Sequence, residues 1–584
     1  MFLRIGAVFS VFRAALGNPT LRRVGIAYGL FVASEFGVWI TLLVFAYGHG
    51  GASASLVMVL VQLIPCMVLG PFIGAFVDRR RPSRVLRIGY GLQAISMAAV
   101  AAAIGLRAPT FVVFVLAPLT SISFTTTRSP QAALLPAIVR TPDELTAANV
   151  MNGWTDGAAS LVGPALAGVL LAWSGAKAAV AANAAMSLVG MLLLLGVVGP
   201  APAIASVDAP RKGENSGGMS PSPGGRVAEF GRSLTSIRAG AGSNLARAVR
   251  NPEIRVLLTL HTFYFVLIGA LDLLCVVLAV DFLHMGPGGA GFLNAALGGG
   301  ALLAAFVTAF LVGRHHLSKT LTAALLVAVG ALALIDATPR VIPVLGLIGI
   351  VGLAGAVFDT TGRTLLQRSA PSDAIAGTFS ILESLMDFGL ATGVILVRVA
   401  LSIGGLKAAL LAPAVCAGAL LTVLWRRLRR IDDSATVPQV EIQLLRSISI
   451  FTPLPAPSLE GIARELVALT VPEGTAVIRE GDGGDCYYAV ADGRLAISRA
   501  GQLLHMASRG DGFGEIALIR DVPRTATVTA VTDALLYSLR KDLFVETVTG
   551  HASASSAART VIARHMSDTD VPPADGDSMG IGDQ

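Results

Sequence analysis

The sequence has little charge and few cysteines. Of its 584 residues only 14% are charged and 54% are hydrophobic, and the mean hydropathy is +0.71. This composition excludes an ordinary soluble protein and is typical of a chain that crosses a membrane. The four cysteines have no paired spacing, so neither a disulfide framework nor a zinc site is predicted. Because there is also no catalytic triad and no Walker loop, we expect no enzyme, no metal and no cofactor.

Long apolar windows predict the fold class. A spanning helix needs about 20 mostly apolar residues, and the sequence offers six such windows in each half. They are 24–47, 52–77, 84–105, 109–128, 145–172 and 176–198, then 255–281, 288–313, 318–336, 341–362, 373–399 and 404–425. We therefore expect a mainly α membrane protein with 12 transmembrane helices, followed by a small cytoplasmic α+β domain.

Composition shifts along the chain predict five parts. They are an N-terminal six-helix half (1–198), a flexible central loop rich in Pro, Gly and Ser (199–250), a C-terminal six-helix half (251–430), a linker with a soluble domain (431–566) and a disordered tail (567–584). Basic residues concentrate in the loops after even-numbered windows. By the positive-inside rule, both ends and the central loop are cytoplasmic in a cell membrane. The pI of about 9.5 therefore needs no nucleic-acid partner.

The two halves repeat each other. "GNPTLRRVGI" precedes the first window and "RNPEIRVLLT" the seventh, and "TRSPQAALLP" at the fourth is echoed by "GRTLLQRSAP" at the tenth. This pattern predicts two parallel six-helix repeats that rock around a site at the membrane midplane.

Two motifs resemble the major facilitator superfamily over roughly residues 10–430. In "GAFVDRRRPSR", Gly74, Asp78 and Arg79 match the family's loop motif, although the later positions depart from it. "ASLVGPALAG", around Gly163 and Pro164, resembles its antiporter motif, and its small residues let helices approach closely. The resemblance, which is nearest to the siderophore and drug exporter branch, implies a secondary active exporter or antiporter of a small molecule. It assigns Gly74, Asp78 and Arg79 to a conformational latch.

Five acids within the apolar windows are candidates for proton or substrate binding, because intramembrane charges are costly and usually face a cavity or a partner. They are Glu35, Asp156, Asp272, Glu383 and Asp387. Glu35 and Asp272 occupy nearly equivalent depths in the two halves, so they could bind a proton or a cationic substrate. The alternative is that each acid satisfies structural hydrogen bonds.

The C-terminal part contains a phosphate-binding pattern. Short alternating strands surround "GFGEIALIRDVPRTATV", in which glycines precede a helical turn and Arg524 follows Gly514 by ten residues. Arginine offers a planar, permanently charged fork for phosphate oxygens. This pattern closely resembles the cassette of cyclic-nucleotide-binding domains, with a β-roll over roughly 445–566.

The resemblance implies a role for each residue of the cassette. Glu515 would bind the ribose 2′-hydroxyl and Arg524 the cyclic phosphate, with backbone contacts from Gly514, Ile516 and Ala517. Thr525 lies where the family tunes cAMP against cGMP, and a threonine there permits both.

Together these features predict a transporter, regulated by cAMP or cGMP, whose partners are the lipid bilayer, a small-molecule substrate, the nucleotide and protons as a coupling ion. Two alternatives stay open at this point. The bundle could anchor a cyclic-nucleotide receptor that transports nothing, or the transporter could be constitutive with a degenerate tail that binds nothing.

Overall fold

The structure is a computed structural model that describes residues 17–77, 80–139, 142–197, 251–311, 317–369, 375–434, 439–454, 456–549 and 552–567. The chain divides into two compact units at residues 435 and 436. The predicted central loop lies outside the described residues. So does the predicted tail, except for Ser567, which ends a helix instead.

The first unit is built from nine α-helices in the described residues. They are α1 Pro19–Val77, α2 Pro82–Gly105, α3 Thr110–Ile138, α4 Pro142–Leu193, α5 Pro252–Val277, α6 Gly289–Leu311, α7 Leu317–Ala333, α8 Val341–Ser369 and α9 Ile375–Ser434. A π-helical turn, Leu278–Phe282, extends α5, and a 3-10 turn, Ile335–Ala337, follows α7. Eight of these helices are long and apolar enough to cross a membrane. The prediction of a mostly helical membrane protein is therefore confirmed.

Three of the long helices break at glycines. Helix α1 breaks at Gly50 and Gly51, α4 at Gly175, and α9 at Gly404 and Gly405. The second glycine of each pair has nearly the same backbone angles, φ 61° and ψ −155° for Gly51 and φ 64° and ψ −157° for Gly405. Residues with a side chain rarely adopt this region. The breaks lie at or beside the boundaries expected between paired apolar windows.

The repeated Asn-Pro pairs begin corresponding helices. The side-chain oxygen of Asn18 accepts hydrogen bonds from the backbone N–H groups of Thr20 (3.1 Å) and Leu21 (3.3 Å) at the start of α1. Asn251 accepts in the same way from Glu253 (2.9 Å) at the start of α5. Asparagine is a favoured N-cap and proline suits the first helical position. The sequence echo is therefore a repeated helix start.

Small residues bring the helices of this unit into backbone contact. A methyl group placed on Gly163 would lie 2.2 Å from the carbonyl oxygen of Ala33, and one on Gly298 would lie 2.2 Å from that of Ser160. Gly163 belongs to the antiporter-like motif. The close approach predicted there is confirmed.

The second unit contains helices α10 Gln439–Ser447 and α11 Ala456–Glu465, and then two four-stranded antiparallel sheets. Its strands are β1 Val467–Val471, β2 Ala476–Ile478, β3 Cys486–Asp492, β4 Leu495–Arg499, β5 Gln502–Ala507, β6 Gly512–Phe513, β7 Thr527–Ala530 and β8 Ala534–Arg540. Helix α12, Glu515–Arg520, lies between β6 and β7, and α13 Lys541–Thr549 and α14 Ala552–Ser567 follow β8. The sheet orders are β1-β8-β3-β6 and β2-β7-β4-β5. The predicted α+β domain is confirmed.

Apolar side chains hold the second unit together in two clusters. Val490, Leu495 and Leu536 are fully buried in a cluster drawn from both sheets. The rings of Tyr487 and Phe544 stack at 4.6 Å and join β3 to α13. Buried aromatic rings of this size contribute strongly to stability. The strands that carry the site are therefore packed against a stable apolar core.

Candidate functional site

A short helix and two left-handed residues position the phosphate-binding pattern in the second unit. Strand β6 ends at Phe513, Gly514 turns the chain, and α12 follows at once. Asp521, with φ 54°, ends α12, and its carboxylate accepts a hydrogen bond from the Lys541 ammonium. This hydrogen bond lowers the pKa of Asp521. The segment from Gly514 to Asp521 is therefore fixed at both ends.

Gly514 is required at its position for two reasons. Its φ is 96°, a conformation that disfavours a side chain. A methyl group there would also lie 2.6 Å from the Nη1 atom of Arg524. The glycine therefore lets the backbone reach the guanidinium of Arg524.

Arg524 is held by three groups from two segments of the domain. Its side chain is only 4% exposed. Nη1 donates to the carbonyl of Gly514 at 3.1 Å, and Nη2 donates to the carbonyl of Cys486 at 2.7 Å and to the Asp485 carboxylate at 3.2 Å. An arginine has five N–H donors. Within the described residues these bonds use three of them, which leaves two for a ligand.

The charge of Arg524 is only partly compensated. Asp485 is its ion-pair partner, but the Asp485 side chain is 80% exposed. Water screens the exposed carboxylate, so Asp485 neutralises the buried charge of Arg524 only in part. A buried cation favours a closely placed anion because the surroundings have a low dielectric. The site is therefore suited to an anion that approaches Arg524 from the cavity.

A cavity of about 280 Å³ opens beside Arg524. All six predicted cassette residues, Gly514, Glu515, Ile516, Ala517, Arg524 and Thr525, line it. Glu515 is 2% exposed and lies in the first turn of α12. The rest of the lining is largely apolar, as a small-molecule site requires. The arrangement offers a cation, an acidic acceptor and an apolar surface to one ligand.

Tyr487 adds a neutral hydroxyl to the lining. Its burial, with the negative charges of Glu515 and Asp511 nearby, raises its pKa well above the ordinary value. The phenol therefore stays protonated.

Sequence reasoning missed several residues of this site. Asp485 and Cys486, which anchor the guanidinium, lie 39 and 38 residues before Arg524. Ile448 and Ile450, just after α10, and Val561 in α14 also line the cavity. The only sequence signal was the acid before β3, within "GDGGDC".

A second cavity, of about 380 Å³, lies in the helical unit. Of the five predicted acids, Glu35, Asp272 and Asp387 line it. Glu35 is 9% exposed and accepts a hydrogen bond from Gln93 at 2.6 Å. The predicted pairing of Glu35 with Asp272 at one site is therefore geometrically possible.

The other two acids have partners outside the lining of this cavity. Asp156 accepts a hydrogen bond from the Tyr28 hydroxyl at 2.8 Å. Glu383 forms an ion pair with Arg363 at 3.3 Å, and Arg363 also binds Asp359. Of the predicted latch, Asp78 and Arg79 lie outside the described residues, and only the backbone of Gly74 is described, within α1.

Comparisons with known proteins match both units. Residues 24–278 match the family model of the Major Facilitator Superfamily, and residues 468–551 match that of the Cyclic nucleotide-binding domain. Both resemblances predicted from the sequence are thereby confirmed.

Curated relatives match the second unit. A cAMP-dependent protein kinase regulatory subunit from Yarrowia lipolytica is 38% identical over 102 residues, which are 17% of this chain and 27% of that protein. A cyclic nucleotide-gated potassium channel from Rhizobium etli is 33% identical over 126 residues, 22% of this chain and 34% of the channel. A cGMP-dependent protein kinase from Eimeria tenella is 34% identical over 101 residues, 17% of this chain and 10% of the kinase. The chain thus spans between 10% and 34% of the length of these relatives.

Among solved structures, the regulatory domain of Toxoplasma gondii PKA with cAMP is 31% identical to this chain. The match covers 21% of this chain and 46% of that one, with a TM-score of 0.19.

Proposed function

We propose that this chain, which carries a major facilitator domain and a cyclic-nucleotide-binding domain, is a secondary active transporter of a small molecule that cAMP or cGMP regulates. The observation that carries the regulatory part is the buried guanidinium of Arg524, which lines a cavity together with the five other cassette residues.

The cyclic phosphate binds Arg524 through the two N–H donors that its protein partners leave. Glu515 accepts a hydrogen bond from the ribose 2′-hydroxyl, since an ionised carboxylate is an acceptor only. Gly514, Ile516 and Ala517 contact the phosphate through their backbone, and Thr525 lies beside the base. The names of the matched relatives include cAMP- and cGMP-dependent kinases, which supports a cyclic nucleotide of either base.

The membrane arrangement that we propose has 12 spans in two six-helix repeats. If α1, α4 and α9 each count as two spans at their glycine breaks, the nine helices supply twelve. The shared Asn-Pro helix starts and the matching angles of Gly51 and Gly405 support a repeat. The termini face the cytoplasm of the cell membrane, as the basic loops indicate, and transport is export.

Regulation acts through linkage between the two units. Helix α9 ends at Ser434 and α10 begins at Gln439, so four residues connect them in sequence. The nucleotide binds more tightly to the tail conformation that accompanies one transporter state. It therefore shifts the equilibrium between the two transporter states by the difference in its binding free energy for them, typically about 1–3 kcal/mol. Glu35 and Asp272 are the acids that we propose for proton coupling.

The test is calorimetric binding of cAMP and cGMP to the full-length protein and to Arg524→Ala. We expect binding with a micromolar Kd or tighter, which Arg524→Ala abolishes. Arg520→Ala is the matched control, because Arg520 is exposed in the same segment and does not line the cavity. Since Arg524 also has structural bonds, Glu515→Gln serves as a second variant that keeps the shape of the site. A folded protein that binds neither nucleotide would refute the regulatory proposal.

Transport is tested separately in proteoliposomes, with and without nucleotide. We expect substrate flux that Glu35→Gln abolishes while nucleotide binding survives. If the wild-type flux does not change when nucleotide is added, the protein is a constitutive transporter. If there is no flux at all, it is a receptor that transports nothing.

A further inference from the structure

The cavity in the helical unit has the size of a small-molecule site. Its volume of about 380 Å³ lies within the usual range of about 300–1,000 Å³. Residues from the first and the second half of the chain line it together. Glu35 and Trp39 come from α1, Asp272 and Tyr264 from α5, and Asp387 from α9. A ligand there would contact both halves at once.

The ionisable side chains of the described lining residues include three acids and no basic residue. The lining contains the carboxyl groups of Glu35, Asp272 and Asp387, and none of the described residues that line the cavity is Lys, Arg or His. The nearby cation Arg363 is instead bound to Asp359 and Glu383. A carboxylate in a membrane interior is costly unless a cation or a donor compensates it. The cavity therefore favours a positively charged occupant.

Two acceptor atoms in the lining point to the same occupant. Glu35 is nine-tenths buried, and its Oε2 accepts from Gln93, while its Oε1 has no hydrogen bond among the described residues. Asn294 is 7% exposed, and its Nδ2 donates to the carbonyl of Ala290, while its Oδ1 accepts no bond within the same described ranges. Neither oxygen is a fully buried atom that lacks a partner, so each has surface open to the cavity. Both acceptors line the cavity, so a cationic or donor group placed there would satisfy them.

Aromatic side chains complete the lining. Phe36, Trp39 and Tyr264 contribute to the cavity surface. The Trp39 indole also lies close to the Asp272 carboxyl group. Aromatic faces attract cations by about 2 kcal/mol when the contact is desolvated. A cation with an apolar body matches this surface better than a small hydrated ion, which would have to lose its water shell.

We propose that the transported substrate is an organic monocation with an aromatic or aliphatic body, held with its charge between Glu35 and Asp272. The proposal rests on the proposed transport function and names its substrate class. Anionic substrates are disfavoured, because three carboxyl groups would repel them.

The test uses tetraphenylphosphonium as the probe and the immobilised full-length protein in detergent. Tetraphenylborate is the competitor, since it has nearly the same shape and the opposite charge. We expect saturable tetraphenylphosphonium binding that tetraphenylborate does not displace. Asp272→Asn and Glu35→Gln should each weaken this binding by about tenfold or more, because each removes a charge in a low-dielectric site. Asp336→Asn is the matched control, as Asp336 is an exposed acid outside the cavity.

Three results would overturn the proposal. They are no tetraphenylphosphonium binding, equal competition by tetraphenylborate, or unchanged affinity in both cavity variants. Thermal unfolding of each variant checks that it is folded, and Asp387→Asn replaces any variant that is not. Cyclic-nucleotide binding is measured on the same preparations. If it persists while tetraphenylphosphonium binding fails, the substrate class is wrong and the regulatory proposal stands.

Discussion

Replacing Gly514 by alanine tests whether the cassette turn controls the nucleotide site through Arg524. The backbone at Gly514 has a φ of 96°, and a left-handed conformation costs a residue with a side chain about 1–2 kcal/mol. The new methyl group would also lie 2.6 Å from Nη1 of Arg524, so the guanidinium must move. That movement strains the 3.1 Å bond between Nη1 and the Gly514 carbonyl.

The two effects have separate signatures. A hydrogen bond to a charged group contributes about 1.5–3 kcal/mol. We therefore expect Gly514→Ala to weaken cyclic-nucleotide binding by about tenfold to a hundredfold, since each 1.4 kcal/mol is about tenfold in Kd. The backbone strain should also lower the Tm of the domain, by about 2–4 °C for each kcal/mol.

Gly501→Ala is the matched control for strain alone. Gly501 has a φ of 83°, and a methyl group there would contact nothing within 4 Å. It should lower the Tm to a similar extent and leave the Kd unchanged. The assay is calorimetric titration with cAMP and cGMP, together with thermal unfolding of the full-length protein. If Gly514→Ala binds like Gly501→Ala, the position of Arg524 does not depend on this glycine and the reasoning is refuted.

Two further variants test local features of each unit. Hydrogen bonding to Lys541 lowers the pKa of Asp521 in the folded protein. The stability that this hydrogen bond contributes is therefore present above the unfolded-state pKa of 3.8, and it is lost as the pH falls through the folded-state pKa. The Tm of Asp521→Asn should therefore lie below that of the wild type at neutral pH and converge with it below pH 3.8; a constant difference in a pH series would contradict this. Gly405→Ala should destabilise the helical unit by about 1–2 kcal/mol, because φ there is 64°, whereas Gly330→Ala, inside α7 with nothing within 4 Å, should not. Thermal unfolding in detergent compares the two, and equal Tm values would contradict the assigned break in α9.

The sequence alone determined the features that depend on local chemistry. The low charge and long apolar runs indicate a membrane protein, since a spanning helix must satisfy its backbone internally and present apolar side chains to lipid. Asn18 and Asn251 mark helix starts because an asparagine oxygen caps the N–H groups two and three residues later. The resemblance of "GFGEIALIRDVPRTATV" to the cassette of cyclic-nucleotide-binding domains is also a local feature, since only one short helix and a loop separate Gly514 from Arg524.

Only the tertiary structure decided which distant groups share a site. Periodicity places an acid on one face of its helix, but the rotation and neighbours of that helix depend on packing with all the others. It therefore took the folded unit to bring Glu35, Asp272 and Asp387 to one cavity while Glu383 pairs with Arg363. Likewise, sequence spacing could not reveal Asp485 and Cys486 as the anchors of Arg524. Backbone hydrogen bonds of Arg524 with Gly481 and Asp482, in a loop distant along the chain, bring these residues together.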